Sequence, residues 1–291
     1  MKLATFTESH RTRIGVVNGD AIVDLAAAVP HLPQTMVPFL RGGAESMTEA
    51  REAASRGRHT IPLAKVRLEA PVPRPGKVNA IGLNYMDHIR EGNRPVPEHQ
   101  IWFSKQATCV VGPNDAIEIP KVSTKIDWEA ELVVVIGRRC RHVPRERARE
   151  VIAGYTCGND VSVRDWQART PTMMMGKGFD THGPIGPWIV TPDEIADPQA
   201  LAVKSFVNGT EMQNASTKEM IFDVAAQIEH LTAAFTLEPG DLIFTGTPAG
   251  VGNFRNPQVF LKSGDTVRIE IEKIGSIENK CVAERGETVI V

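Results

Sequence analysis

The chain has 291 residues, a formal net charge of −2 and a pI near 6.5, with 42% hydrophobic residues. That balance offers no basic footprint for nucleic acid. It supplies enough apolar side chain for a sizeable core, in one large domain or in a large domain with a small companion.

The start, Met1 to Arg13, lacks an apolar h-region and a cleavage signal, so no secretory leader is expected. No run of about 18 apolar residues suggests a membrane span. The four cysteines, at 109, 140, 157 and 281, form no C-x-x-C pair. They read as free thiols of a cytoplasmic protein rather than as zinc ligands. The sequons at Asn208 and Asn214 are then chance matches.

Residues 1 to about 70 read as a small α+β unit. Short strands flank Asn18-Gly19, a tight hairpin turn, and a polar helix is expected near Ala44 to Arg58. Pro71, Pro73 and Pro75 favour a stiff, extended connection. A boundary near residue 73 therefore divides 1–73 from 74–291.

The second part reads as β-rich α+β. Ile126 to Gly137 reads as a strand, and Asn208-Gly209 is a hairpin turn. Pro239-Gly240 turns the chain before another strand, and a turn-strand-strand run covers Leu261 to Val282. Helices are expected at Arg145 to Ala153 and at Ser216 to Thr232. The second carries an apolar stripe of Met220, Val224, Ile228 and Leu231. Without strict βα alternation, a doubly wound sheet is not expected.

Asp127, Glu129 and Glu131 stand at i, i+2 and i+4 and lead into Leu-Val-Val-Val-Ile. On a strand they share one face, with Val133 and Val135 beyond them. Three carboxylates so placed repel one another. Either a hard cation such as Mg²⁺, Mn²⁺ or Ca²⁺ relieves them, or nearby Lys and Arg answer an exposed acidic edge. Asp160 follows Gly158-Asn159 at an expected turn-to-strand junction, where it either faces a cleft or bonds its own backbone. Arg164 and Gln167 follow. They suit a carboxylate ligand, or equally a surface ion pair and a solvated amide.

Five segments occur in order: Gly82 to Glu91 (GLNYMDHIRE), Asp127 to Leu132 (DWEAEL), Gly154 to Val161 (GYTCGNDV), Gly176 to Gly186 (GKGFDTHGPIG) and Phe244 to Gly252 (FTGTPAGVG). Together they make residues 75 to 291 resemble the fumarylacetoacetate hydrolase family, with residues 1 to 70 similar to the small N-terminal domain of its bacterial members. The resemblance implies that family's mixed β-sheet and β-roll fold and a homodimer. It also implies Mg²⁺ or Mn²⁺ (with Ca²⁺ as a substitute) held by Glu129, Glu131 and Asp160. Asp127 then falls outside the ligand set.

The chemistry the resemblance implies is cleavage of a C–C bond in a small 1,3-diketo 2-oxo acid, of the acylpyruvate or 2,4-dioxo sugar acid type. There the cation stabilises the departing enolate. The alternative is an oxaloacetate-type decarboxylase or an isomerase and decarboxylase of aromatic-degradation intermediates. A metal-binding homologue without activity is a third possibility. Hydrolysis needs a base. His88 and Glu91, three apart on an expected short helix, share a face and supply one, in place of a solvated i,i+3 ion pair.

Lys177, between Gly176 and Gly178, is placed to stabilise developing negative charge, and the context is not that of a P-loop. Met173 to Met175 read as core filling more readily than as a pocket loop. Thr247 is expected to bond the substrate carboxylate through its hydroxyl or its backbone N–H.

Overall fold

The computed structural model describes residues 1–290. Its largest feature is a 12-stranded sheet. The strand Ala130–Ile136 lies near the centre and is buried at every position, as the apolar run Leu132–Ile136 requires, with Glu131 the one charged residue in it. It pairs antiparallel with Ile152–Asn159 on one side and Leu242–Phe244 on the other. Leu242–Phe244 in turn pairs with Val78–Gly82, and that strand with Ile101–Lys105. In the other direction Gly183–Val190 joins Ile152–Asn159 to Lys2–Glu8. The sheet thus continues into the N-terminal strands.

The two faces of Ala130–Ile136 enter different cores, following the two-residue period of a strand. Leu132, Val134 and Ile136 pack in one core with Val203, Val267, Ile269 and Ile277 of a five-stranded sheet. Val133 and Val135 pack in another with Phe244, Ile189, Phe39 and Leu40, beneath the N-terminal helices. Gly158 allows close approach on this side. A Cβ there would lie 2.4 Å from Val133 Cγ2 and 2.8 Å from Phe244 Cε1.

Both Asn-Gly hairpins form as expected. Asn18 pairs with Ala21, and Val207 pairs with Thr210. Asn208 and Gly209 have φ of 51° and 80°, the two positive angles of a type I′ turn. The polar N-terminal helix spans Gly43–Arg56 and ends at Gly57 with φ of 60°.

Both helices expected in the second part begin or end elsewhere. Arg145–Val151 is a 3₁₀ helix, and Ile152 already belongs to the sheet. Its buried residues, Ala148 and Val151, are three apart, which suits the 3₁₀ period. Ser216 ends a strand and Thr217–Glu219 is a 3₁₀ turn. The α-helix itself is Val224–Ala234, because the Asp223 carboxylate accepts from Ala226 N–H and caps it there. Val224, Ile228 and Leu231 are its buried stripe, while Met220 lies outside the helix in a bridge with Tyr85.

Candidate metal centre and active site

The acidic run is not one continuous strand. Ile126–Asp127 pairs with Ser162–Val163 in a separate ribbon, Trp128 and Glu129 leave the ladder, and Ala130 begins the central strand. Two bonds replace the ladder at the break. Glu129 N–H donates to Asn159 Oδ1 at 3.0 Å, and Asp160 N–H donates to the Glu129 carbonyl at 3.0 Å. Gly158 and Asn159 are therefore the last residues of a strand rather than a turn. Asp160 emerges from that strand end beside Glu129.

Glu129, Glu131 and Asp160 meet there, each buried, with one oxygen from each lying within 4.8 Å of the others. Asp127 is turned away. Its carboxylate accepts from the N–H groups of Trp128, Gly252 and Asn253 and pairs with Arg164, so it ties the 252–253 loop to the site.

Three cations answer the acids. Lys177 Nζ donates to Glu129 Oε2 at 2.7 Å and to Asp160 Oδ2 at 2.8 Å. It lies over the Phe103 ring, 4.9 Å from the centroid. Lys105 Nζ donates to Asp160 Oδ1 at 2.6 Å and also to the Lys177 carbonyl. Arg164, its side chain only 10% exposed, donates to Asp127 Oδ2 at 2.8 Å, to Glu129 Oε1 at 2.6 Å and to Gln167 Oε1 at 3.0 Å. Its role toward the acids is thus a buried ion pair, not the surface pair the sequence also allowed.

Lys105 is a site residue that the sequence reading missed. Its only local signal is a charge two positions after Phe103, on the same face of the strand Ile101–Lys105.

Burial raises a carboxyl's pKa and nearby cations lower it. For Glu129, Lys177, Arg164 and His88 outweigh burial and hold the carboxyl at about 2. For Glu131, burial and then the charges of Asp160 and Glu129 prevail over Lys177 and the Gly246 N–H, and its carboxyl rises well above the usual range. Burial works against the Lys177 ammonium, but Asp160 and Glu129 more than compensate and raise its pKa. The cluster therefore carries more acidic groups than its own cations neutralise.

His88 and Glu91 lie on the helix Met86–Glu91. His88 Nδ1 is 3.4 Å from Glu91 Oε2, and Glu91 Oε1 accepts from Gly250 N–H at 3.0 Å. The imidazole packs against Phe254, with ring centroids 5.4 Å apart. With Nδ1 facing the carboxylate, Nε2 is the ring's proton-accepting atom.

His88, Glu129, Arg164, Gln167, Lys177 and Thr247 all line one cavity of about 570 Å³. The Thr247 hydroxyl donates to the Ala130 carbonyl at 3.0 Å and accepts from Gln213 Nε2 at 2.8 Å. Its proton is committed within the chain, so of the two contacts expected of Thr247 the backbone N–H is the one to carry forward. The methionines divide: Met173 packs against the second core and also lines the cavity, while Met174 and Met175 depart from core filling and are 39% and 51% exposed. The short helix Met174–Lys177 turns Gly176 and Lys177 inward and leaves them outside.

The fumarylacetoacetate (FAA) hydrolase C-terminal family model matches residues 77–282. The chain belongs to the fumarylacetoacetate hydrolase family. It is 46% identical over 288 residues to the mitochondrial oxaloacetate tautomerase FAHD2A of Bos taurus, covering 97% of this chain and 92% of that one. The structure of maleylpyruvate hydrolase from Sphingobium sp. SYK-6, in complex with manganese(II) ion and pyruvate, is 36% identical with a TM-score of 0.81. That likeness covers 98% of this chain and 100% of that one. The 5-carboxymethyl-2-hydroxymuconate delta-isomerase from Mycobacterium smegmatis is 35% identical with a TM-score of 0.79, over 98% and 100% of the two chains. The β-rich α+β architecture is thus the family's fold, and the chain is an enzyme of a family that spans hydrolases, isomerases and tautomerases.

A divalent cation fits this family member's residues. The donor set is all oxygen, which suits Mg²⁺ or Mn²⁺, and the raised Glu131 carboxyl is the group that a further cation would ionise. The sign of the pH effect follows. Without metal, the folded chain keeps a proton on Glu131 that the unfolded chain has lost above the ordinary carboxylate range. Stability of the metal-free chain is therefore expected to fall as pH rises from about 4.5 toward the raised value. Mg²⁺ affinity is expected to rise with pH over the same window, with proton release seen by calorimetry in buffers of different ionisation enthalpy. Affinity that does not change with pH would contradict this account.

Gly246 holds Glu131 from the other side, its N–H donating to Oε2 at 2.8 Å. Its φ is 98°, and a Cβ would lie 2.7 Å from Asn84 Cβ. Asn84 cannot easily give way, since its amide donates to the carbonyls of Phe222 and Thr245 and accepts from Phe222 N–H. Gly246→Ala is expected to cost about 1–3 kcal/mol in urea unfolding and to weaken metal binding. A loss within about 0.5 kcal/mol would mean the loop relaxes freely.

Proposed function

We propose that this chain is a divalent-cation-dependent enzyme of small 2-oxo acids in which His88, held by Glu91, moves the proton. The observation that carries this is two groups at one cavity: an imidazole engaged at Nδ1 by a carboxylate, and a three-carboxylate centre that reaches the cavity through Glu129 and is braced by Lys177. When bound to Glu129, Glu131 and Asp160, the cation supplies Lewis-acid stabilisation of negative charge on the 2-oxo oxygen. Lys177 adds a fixed positive charge beside it. Arg164 and Gln167 line the wall that orients the substrate carboxylate, and the Thr247 N–H is the further donor we assign to it. His88 Nε2 takes a proton from the carbon next to the keto group, or from water, and Glu91 stabilises the imidazolium that forms.

Proton transfer at carbon interconverts keto and enol forms, and the full-length similarity to the bovine oxaloacetate tautomerase favours this reading, with an oxaloacetate-type acid as substrate. Proton transfer from water hydrolyses the C–C bond of a 1,3-diketo 2-oxo acid. The similarity to maleylpyruvate hydrolase, together with a base able to activate water, favours this second reading. One screen with Mg²⁺ and with Mn²⁺ separates them. Ultraviolet absorbance follows the enol of oxaloacetate, and product analysis detects pyruvate released from acylpyruvates and CO₂ released from oxaloacetate. No conversion of any of these acids would refute the proposal.

The reading includes a homodimer, supported by apolar surface at the cavity: Ile101 lines it and is 37% exposed, beside the exposed methionines that follow Met173. Light scattering checks it. It also includes a cytoplasmic setting, which the four free cysteines suit. Among the described residues, no helix is long and apolar enough to cross a membrane.

A further inference from the structure

Six arginines fall between positions 138 and 149 of a chain whose formal net charge is −2. None of them lines the catalytic cavity. Their segment leaves the central strand after Ile136, at the end away from Glu131. Arg138 therefore stands roughly 20 Å along the chain from the metal centre.

Three adjoining depressions of about 460, 310 and 290 Å³ open on this face, and Arg138 lines all three. Together they are lined by seven arginines and only two carboxylates, Glu150 and Glu238. Both carboxylates are taken, since Arg147 donates to Glu150 at 2.8 Å and Arg139 to Glu238 at 3.0 Å. Arg51 is paired with Asp193 at 3.0 Å. Four guanidiniums are left. Arg141 donates to the Thr232 carbonyl, and Arg149 to the carbonyls of Pro192, Ile195 and Ala196, bonds that hold these side chains without neutralising them. Arg41 and Arg138 are exposed, and among the described residues neither lies within 4.0 Å of a carboxylate.

The depressions follow the seam between the two parts of the chain. Arg41, Gly43 and Ala44 come from the N-terminal helices, Gly137 and Arg138 from the end of the central strand. Gly137 leaves that floor as bare backbone, because a Cβ there would lie 2.9 Å from Ala153 N. A concave floor ringed by unneutralised guanidiniums suits a compact anion with several charged oxygens, each phosphate meeting an arginine fork through two of them.

We infer that Arg138 is the centre of a second binding site, which takes a small polyphosphate and joins the N-terminal helices to the catalytic part. Four positive charges without a carboxylate match a triphosphate better than a single carboxylate or sulfate. The site is separate from the catalytic cavity, and the inference stands without the 2-oxo acid reading.

Calorimetric titration with inorganic triphosphate, at constant free Mg²⁺, is expected to show one site whose affinity falls with added salt. Arg138→Gln and Arg41→Gln should each weaken binding at least about tenfold, and Arg138→Lys should retain part of it. Both side chains are exposed and unpaired, so the variants should melt as the parent does. Triphosphate should raise the Tm of the parent and not that of Arg138→Gln/Arg41→Gln. A parallel titration with ATP identifies the source. Affinity equal to that of triphosphate assigns the site to the phosphates alone, tighter binding adds a nucleoside, and either upholds it. No binding by the parent, or undiminished binding in Arg138→Gln/Arg41→Gln, would overturn the inference. So would binding lost in Lys177→Gln but kept in Arg138→Gln, which would put the anion in the catalytic cavity. Binding to phosphatidylserine vesicles without binding of triphosphate would overturn it in favour of a membrane surface.

Discussion

Glu129→Gln and Asp160→Asn are each expected to lower turnover by at least about 10³-fold and to weaken Mg²⁺ binding severely, while the chain still folds. Each change removes one negative oxygen from the set of three. The fold should survive because the amide oxygen that remains still accepts a hydrogen bond. The cost is electrostatic. Glu129 faces both Arg164 and Lys177, and Asp160 faces both Lys105 and Lys177. Either substitution therefore leaves buried cations short of a partner. Full removal of such a partner costs about 3–5 kcal/mol, and an isosteric amide recovers part of it. The measurements are calorimetric titration with Mg²⁺ and with Mn²⁺, a thermal melt, and the rate at saturating metal. An unaltered rate in Glu129→Gln/Asp160→Asn would end the metal reading.

His88→Ala tests the other half of the site and should separate chemistry from metal binding. Turnover is expected to drop by about 10²–10⁴-fold, the usual range for a lost general base, with Mg²⁺ affinity changed only severalfold. The imidazole is not among the three ligands. Glu91→Gln should give a smaller loss, because the amide can still accept from Gly250 N–H but no longer stabilises an imidazolium. Equal losses of turnover and metal affinity in His88→Ala would make His88 structural, a packing partner of Phe254.

These expectations draw on both levels of description, and particular residues show where each was needed. The one-face placement of Glu129 and Glu131 follows from the two-residue period of a strand, and it holds although the strand breaks at Trp128 and Glu129. The same period wrongly groups Asp127 with them. Its carboxylate is claimed by loop N–H groups 125 and 126 residues away, which no local pattern records. The resemblance to the family set Asp127 aside before the geometry did. The last long helix begins at Val224 rather than at Ser216, which instead ends a strand. Asp223 is the cap that the packing of Val224, Ile228 and Leu231 selects.

The sequence by itself determined the elements whose cause is local: the two Asn-Gly hairpins, the buried central strand, the pairing of His88 with Glu91 on one helical turn, and the order of motifs that marks the family. Tertiary structure alone decided the electrostatics. Lys177 reaches Glu129 across 48 positions and Lys105 reaches Asp160 across 55. Partners that far apart in the chain are chosen by how strands stack, not by spacing. Those pairings set which carboxyl is held ionised and which is held in its protonated form.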